Sequence, residues 1–215
     1  VCIDHHVSNT GFTDLSKIEP QASSACEVLY GTMDADKISR NVAECIYTGI
    51  IHDTGVFKYS CTSKKTMEIA GEMMEKGIDY SDIIDNTFYK KTYVQNQILG
   101  RALLESVLFY DGKCIFTTVT IDEMEFYGVT GRELGGIVEQ LRLTDGVEVA
   151  IFLYQTGEEE YKVSLRSKKK IDVAAIATQF GGGGHVRAAG YTAKGSVYQI
   201  INSIGELIEK QYNAM

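Results

Sequence analysis

Apolar positions follow two regimes along this chain. Up to about residue 107 they recur every three or four residues, and beyond it they gather in short β-rich runs. The chain opens on Val1-Cys2-Ile3, a strand-forming run expected to be buried, and Ser8 to Gln21 is polar and turn-rich, the pattern of a loop. Ser23-Ser24 caps a helix running to about Tyr30. A second helix begins at Asp34/Asp36, carries Ile38, Val42, Cys45, Ile46 and Ile50 on one face, and ends near Asp53-Thr54-Gly55. Lys64 to Lys76 is a third amphipathic helix closed by Gly77, and Asp79 to Asn86 starts a short one. Thr92 to about Leu108 stays helical without a core of its own, as a connecting helix would.

The later regime predicts strands at 113–119, Val147 to Tyr154 and Tyr161 to Leu165, separated by Asp-Gly and Gly-Glu turns. Helices are expected at Glu133 to Leu141, Asp172 to Phe180 and Val197 to Tyr212, with Tyr191-Thr192-Ala193 a short strand. The predicted organisation is α/β in two lobes: a helix-rich segment 1–89, a linker helix 90–107, and an α/β domain 108–215 with a mixed sheet.

Composition narrows the options. The 215 residues are 44% hydrophobic and 23% charged, ordinary values for a globular protein. No run approaches a membrane span and no signal peptide is visible, so no membrane association and a cytoplasmic location are expected. A net charge of −8 argues against broad adhesion to duplex DNA or anionic membrane; any nucleic-acid substrate should be short or held in a local basic groove. Five widely spaced cysteines without a C-x-x-C pair are expected to be reduced core residues and to form no structural zinc site.

The four histidines concentrate the candidate chemistry. Asp4-His5-His6 follows the first strand, where the next loop can turn both imidazoles to one cavity; imidazole beside carboxylate suits Mn²⁺ or Fe²⁺, with zinc competing. The alternative is that Asp4 only orients a histidine at a strand end. His52-Asp53 ends an apolar helix at a glycine turn. A carboxylate there opposes the negative end of the helix dipole, which a nearby cation would explain. His185 follows Gly181 to Gly184, where missing side chains let backbone N–H groups close around an anion, with His185 and Arg187 as flanking donors. Arg166, at a strand end before Lys168-Lys169-Lys170, could line a groove for successive phosphates; a solvated loop is the alternative for the lysines.

Four segments, Ile3-Asp4-His5-His6 with Ser8-Asn9, Gly49 to Gly55 around Asp53, Ser164-Leu165-Arg166-Ser167, and Gly181 to Gly190, together resemble the DHH/DHHA1 phosphoesterases in order and spacing. The resemblance is strongest to the nano-RNase type oligoribonucleases that also act as 3′-phosphoadenosine-5′-phosphate (pAp) phosphatases, and RecJ-type exonucleases and cyclic-di-AMP-related phosphodiesterases share the modules. It implies that residues 1–89 are the C-terminal part of a DHH domain, a helix-rich remnant of a parallel α/β sheet, and that 108–215 is a DHHA1 substrate-binding domain. His5 and Asp53 would ligate one Mn²⁺ of a pair, His6 would contact the scissile phosphate, and Asp4 would support the histidines. Arg166, Gly182, Gly183, Gly184, His185 and Arg187 would hold the nucleotide's other phosphate across an interdomain cleft.

The family's upstream motifs, a histidine and two aspartates with a further bridging aspartate, have no counterpart in these residues. The expectation is that they lie before Val1, and that these residues alone hold at most a partial Mn²⁺ site and hydrolyse poorly. The implied substrate is a short single-stranded RNA or a nucleotide, with a homodimer left open. Two other readings stand beside the enzyme: a non-catalytic nucleotide or single-strand binding module, and a cyclic-dinucleotide phosphodiesterase.

Overall fold

The computed structural model describes residues 1–6 and 9–215. Ser8, the first residue of the expected loop, lies outside the described residues. The chain divides into two compact units, Val1–Lys90 and Lys91–Met215.

In the first unit β1 (Cys2–Asp4) pairs in parallel with β2 (Ser16–Ile18). β2 lies inside the segment expected to be loop, and β1 is half-buried where a buried strand was expected. Four helices follow: α1 (Ala25–Tyr30), α2 (Arg40–Thr54), α3 (Lys64–Glu75) and α4 (Tyr80–Ile84), with a π turn at Asp85–Tyr89. Helix α2 starts later than expected, because Asp34 caps only a single 3₁₀ turn, Ala35–Lys37, and Ser39 caps α2. Its core stripe is Ala43, Ile46, Tyr47, Ile50 and Ile51, packed against Ile69, Ala70 and Met73 of α3. Val42 and Cys45 face outward, since the helical repeat set by Ile46 and Ile50 puts Ala43 and Tyr47 inside instead. Helices α1 and α2 nearly touch at Gly49, where a Cβ would lie 2.2 Å from the Cys26 sulfur.

The second unit is built on a six-stranded sheet of order β3-β4-β5-β6-β8-β7. The strands are β3 (Val107–Phe109), β4 (Cys114–Val119), β5 (Val149–Gly157), β6 (Glu160–Ser167), β7 (Gly183–His185) and β8 (Ala188–Lys194). Only β4 and β5 pair in parallel, which makes the sheet mixed. Helices α5 (Tyr93–Leu104), α6 (Ile121–Tyr127) and α7 (Ile137–Arg142) accompany it, with α8 (Val173–Gln179) and α9 (Val197–Asn213).

Strand β5 explains why this sequence takes two helical layers. Val149, Ile151 and Leu153 pack with Ile176 of α8 and Ile200, Ile204 and Ile208 of α9. Ala150 and Phe152 pack on the other face with Ile98 and Ala102 of α5 and Ile137, Val138 and Leu141 of α7. An uninterrupted apolar strand is what burial on both faces requires. Through Ile98 and Ala102 the segment expected to be a linker helix joins the core of this unit. Among the described residues all five cysteines are free; Cys114 is buried, whereas Cys45 and Cys61 are exposed rather than in the core.

Candidate active site

The first candidate site is assembled at the end of β1. Asp4 is its hub: the amides of His5 (2.7 Å) and His6 (3.2 Å), His6 Nδ1 (2.7 Å) and Asn9 Nδ2 (2.6 Å) all donate to its carboxylate. The Asn9 amide and the His6 ring hold the Asp4 carboxyl well below the usual carboxylate range. Asp4 is therefore ionised at any pH of interest, and it fixes His6 with Nδ1 as the donor and Nε2 as the ring's other polar atom.

His5 turns the other way. Its Nδ1 lies 3.2 Å from the carbonyl oxygen of Ala22, which can only accept, so Nδ1 carries the proton. Nε2 is then directed at Asp53 Oδ2, 3.6 Å away. A bare ring nitrogen facing a carboxylate oxygen is unfavourable without positive charge between them, so a proton or a cation belongs there. Asp53 reaches this place from the last turn of α2, where Gly55 in the left-handed region (φ 58°) ends the helix with the ring of Tyr59 packed over it. His52, its neighbour, contacts Thr87 Oγ1 at 3.1 Å and packs edge-on against Phe88, so it leaves this cluster.

The nitrogen and oxygen donors of His5 and Asp53 fit part of a Mn²⁺ shell. Among the described residues no group of three or more His, Cys, Asp or Glu side chains is placed to hold a metal, so the pair is a two-donor set.

Sequence reasoning assigned no part to Glu27, which is buried with its carboxylate 2.6 Å from Ser23 Oγ, 3.3 Å from Ser23 N and 2.8 Å from Thr66 Oγ1. Burial pushes its carboxyl up, but the Ser23 and Thr66 hydrogen bonds and Lys65 outweigh this and hold it below the ordinary value of 4.5. A depressed carboxyl contributes stability that is present above its unfolded pKa and fades as pH falls through the folded one. Thr66→Val is expected to cost about 1 kcal/mol at neutral pH and to move acid unfolding of the first unit to higher pH, followed by circular dichroism. An unchanged acid midpoint would contradict this assignment. The Ser23…Glu27 spacing was a signal, but Thr66 lies 39 residues further on.

The second group of candidates lies at one end of β6 and in the glycine run. Arg166 is held by Glu139 through Nε (2.9 Å) and Nη2 (2.8 Å), and Nη1 donates to the Leu165 carbonyl at 3.0 Å. Arg187 Nη1 donates to the Ile171 carbonyl at 2.7 Å. The second half of the glycine run, Gly183-Gly184, forms edge strand β7 with His185, and Val186-Arg187 forms the tight turn into β8. Gly182 is where a side chain cannot fit: a Cβ would lie 2.3 Å from the Gly190 carbonyl oxygen and 2.4 Å from Tyr191 Cβ. A Cβ on Gly183 would meet nothing within 4 Å, and exposed His185 ends the strand.

A backbone cradle does exist nearby, but it is filled from within. The amides of Lys169 (2.8 Å), Lys170 (2.5 Å) and Ile171 (3.2 Å) converge on Oε1 of Glu148. Lys168 Nζ donates to the Thr144 carbonyl at 3.0 Å, while Lys169 and Lys170 are exposed.

The chain matches the DHHA1 domain model over residues 111–211 and carries that domain there. Among curated proteins it is 31% identical to the bifunctional oligoribonuclease and PAP phosphatase NrnA of Thermus thermophilus, over 90% of this chain and 58% of that protein. The Bacillus subtilis protein of the same name is 28% identical over 87% of this chain and 60% of its own length. The chain thus spans less than two thirds of these relatives. In structure it resembles an exopolyphosphatase-related protein from Bacteroides fragilis, with a TM-score of 0.89 and 28% identity over 97% of this chain and 62% of that one. Among the described residues no helix is long and apolar enough to cross a membrane.

Proposed function

We propose that this chain serves a Mn²⁺-dependent phosphohydrolase that cuts short oligoribonucleotides from an end, removes a phosphate from pAp, or does both. The observation that carries this reading is His5 Nε2 facing Asp53 Oδ2 at 3.6 Å with a proton on Nδ1, an arrangement that a cation between the two would satisfy. The printed names of the NrnA relatives support the substrate class.

His5 Nε2 and the Asp53 carboxylate would hold the ion. When bound, Mn²⁺ supplies Lewis acidity toward phosphoryl oxygens and makes water a better nucleophile. His6 would present a protonated Nε2 to a phosphoryl oxygen, and Asp4, accepting from Nδ1, would stabilise the positive charge the ring must carry in order to donate. Arg166 and the residues around Gly182, Gly183, Gly184, His185 and Arg187 would hold a non-reacting phosphate. The phosphate would then compete with Glu139 for the Arg166 fork.

The test is hydrolysis by the natural full-length protein with Mn²⁺, comparing pAp, a dinucleotide and a cyclic dinucleotide. Turnover of pAp or the dinucleotide is expected, and His6→Ala should lower kcat by about 10²–10³. No turnover of any of them would overturn the proposal, and full activity in His6→Ala would overturn the role of that ring. Arg166→Ala should raise KM by roughly tenfold or more with little change in kcat, as loss of a charged hydrogen bond does. Arg166→Lys should not restore it, because an ammonium cannot make the two-pronged contact. A KM unchanged in Arg166→Ala would remove Arg166 from the site.

A further inference from the structure

The carbonyl that fixes the His5 tautomer belongs to the peptide group joining Ala22 to Ser23. The C=O of that group accepts from His5 Nδ1 at 3.2 Å, and its N–H, on the opposite edge of the same plane, donates to Glu27 Oε2 at 3.3 Å. The same carboxylate oxygen takes the Ser23 hydroxyl at 2.6 Å and the Thr66 hydroxyl at 2.8 Å. Ser23, Ser24, Glu27 and Thr66 are all at most 2% exposed. Lys65 Nζ stands 3.8 Å from the other oxygen, Oε1.

We infer that Glu27 is a positioning residue for His5, acting through this single peptide group. A buried carboxylate is costly to desolvate, and an apolar residue would fill the space more cheaply. What the carboxylate adds is an acceptor-only group whose oxygen collects three donors and so sets the plane of the Ala22–Ser23 peptide. With that plane set, the carbonyl points at Nδ1 and Nε2 is left to face Asp53. Negative charge on one edge of a peptide also polarises its carbonyl on the other, strengthening the bond to Nδ1–H. The arrangement is a carboxylate–histidine pair with a peptide inserted between its members. Two backbone bonds hold the rest of the turn: Glu19 N to Asp4 O at 3.0 Å and Ala22 N to Glu19 O at 2.9 Å. Neither orients the Ala22 carbonyl.

The inference rests on the reading of His5 as a metal ligand, and its test separates the two. Long-range ¹H–¹⁵N spectra at about pH 8, where an ordinary histidine is neutral, report which nitrogen of His5 bears the proton. The natural protein is expected to show the Nδ1–H form almost alone. Glu27→Ala should give a mixture of both forms, and Glu27→Gln, which keeps an oxygen acceptor, should restore most of the Nδ1–H form. Titration with Mn²⁺ should show affinity at His5 falling about 10–100-fold in Glu27→Ala and largely recovering in Glu27→Gln. If Glu27→Ala does not fold, Glu27→Asp withdraws the carboxylate by one methylene and should give the same mixture. A folded variant of either kind with the Nδ1–H form intact overturns the inference. Mn²⁺ that leaves the His5 ring signals of the natural protein unaffected overturns the metal reading instead, and a tautomer shift in Glu27→Ala would still support the role of Glu27.

Discussion

Asp53→Asn is expected to lower Mn²⁺-dependent hydrolysis by the full-length protein about a thousandfold, several kcal/mol of lost charge stabilisation. The substitution keeps the shape of the side chain and removes the charge. Asp53 sits at the negative end of α2, a position where a carboxylate is disfavoured, and it faces Nε2 of His5. An amide there offers Mn²⁺ a neutral oxygen at best. The loss should show as a higher Mn²⁺ concentration for half-maximal rate, with free Mn²⁺ followed by electron paramagnetic resonance, and the first unit should stay folded. His52→Ala is the matched control. It lies next in sequence but bonds Thr87, so it should leave the Mn²⁺ dependence as it was. A rate for Asp53→Asn within threefold of the natural protein would rule out Asp53 as a ligand.

Gly182→Ala is expected to destabilise the second unit by about 1–3 kcal/mol, the usual range for forcing an extra carbon into a filled space. The added Cβ would press on the Gly190 carbonyl and on Tyr191, whose ring stacks on Phe180 at 4.8 Å between centroids. Either β7 separates from β8 or the Tyr191 backbone moves. Gly183→Ala, with open space around it, should change stability by less than about 1 kcal/mol. Urea unfolding followed by tyrosine fluorescence, which no tryptophan obscures, measures both. Equal losses at the two positions would mean that backbone freedom, and not close packing, explains the run.

These glycines show where the sequence could be read and where it could not. Four in a row are conspicuous, and anion binding was the reading that needed only local information. Glycine has poor strand propensity, so β7 is visible only with its partner: Gly183 lies opposite Gly190 and Gly184 opposite Ala189. Strands β2 and β3 are three residues long and equally dependent on pairing. The long runs were legible because their burial is written in their own residues, as in β5 and α9. Likewise Asp4, His5, His6 and Asp53 could be named from sequence, since strand end and helix end set their positions. The partners that fix them could not. Ala22 contributes only a carbonyl, and the Glu139 that holds Arg166 is 27 residues away in sequence. Polar contacts across such separations leave no periodic trace.

The Glu148 carboxylate, seated on the amides of Lys169, Lys170 and Ile171, has a consequence in terms of effective concentration. An anion tethered to the same fold competes as though present far above the level of any dissolved phosphate. The turn after β6 should therefore keep its shape whether phosphate is scarce or abundant. Its contribution to attracting a polyanion would come from the exposed side chains of Lys169 and Lys170, a long-range pull that salt weakens, rather than from a pocket that a phosphate could saturate.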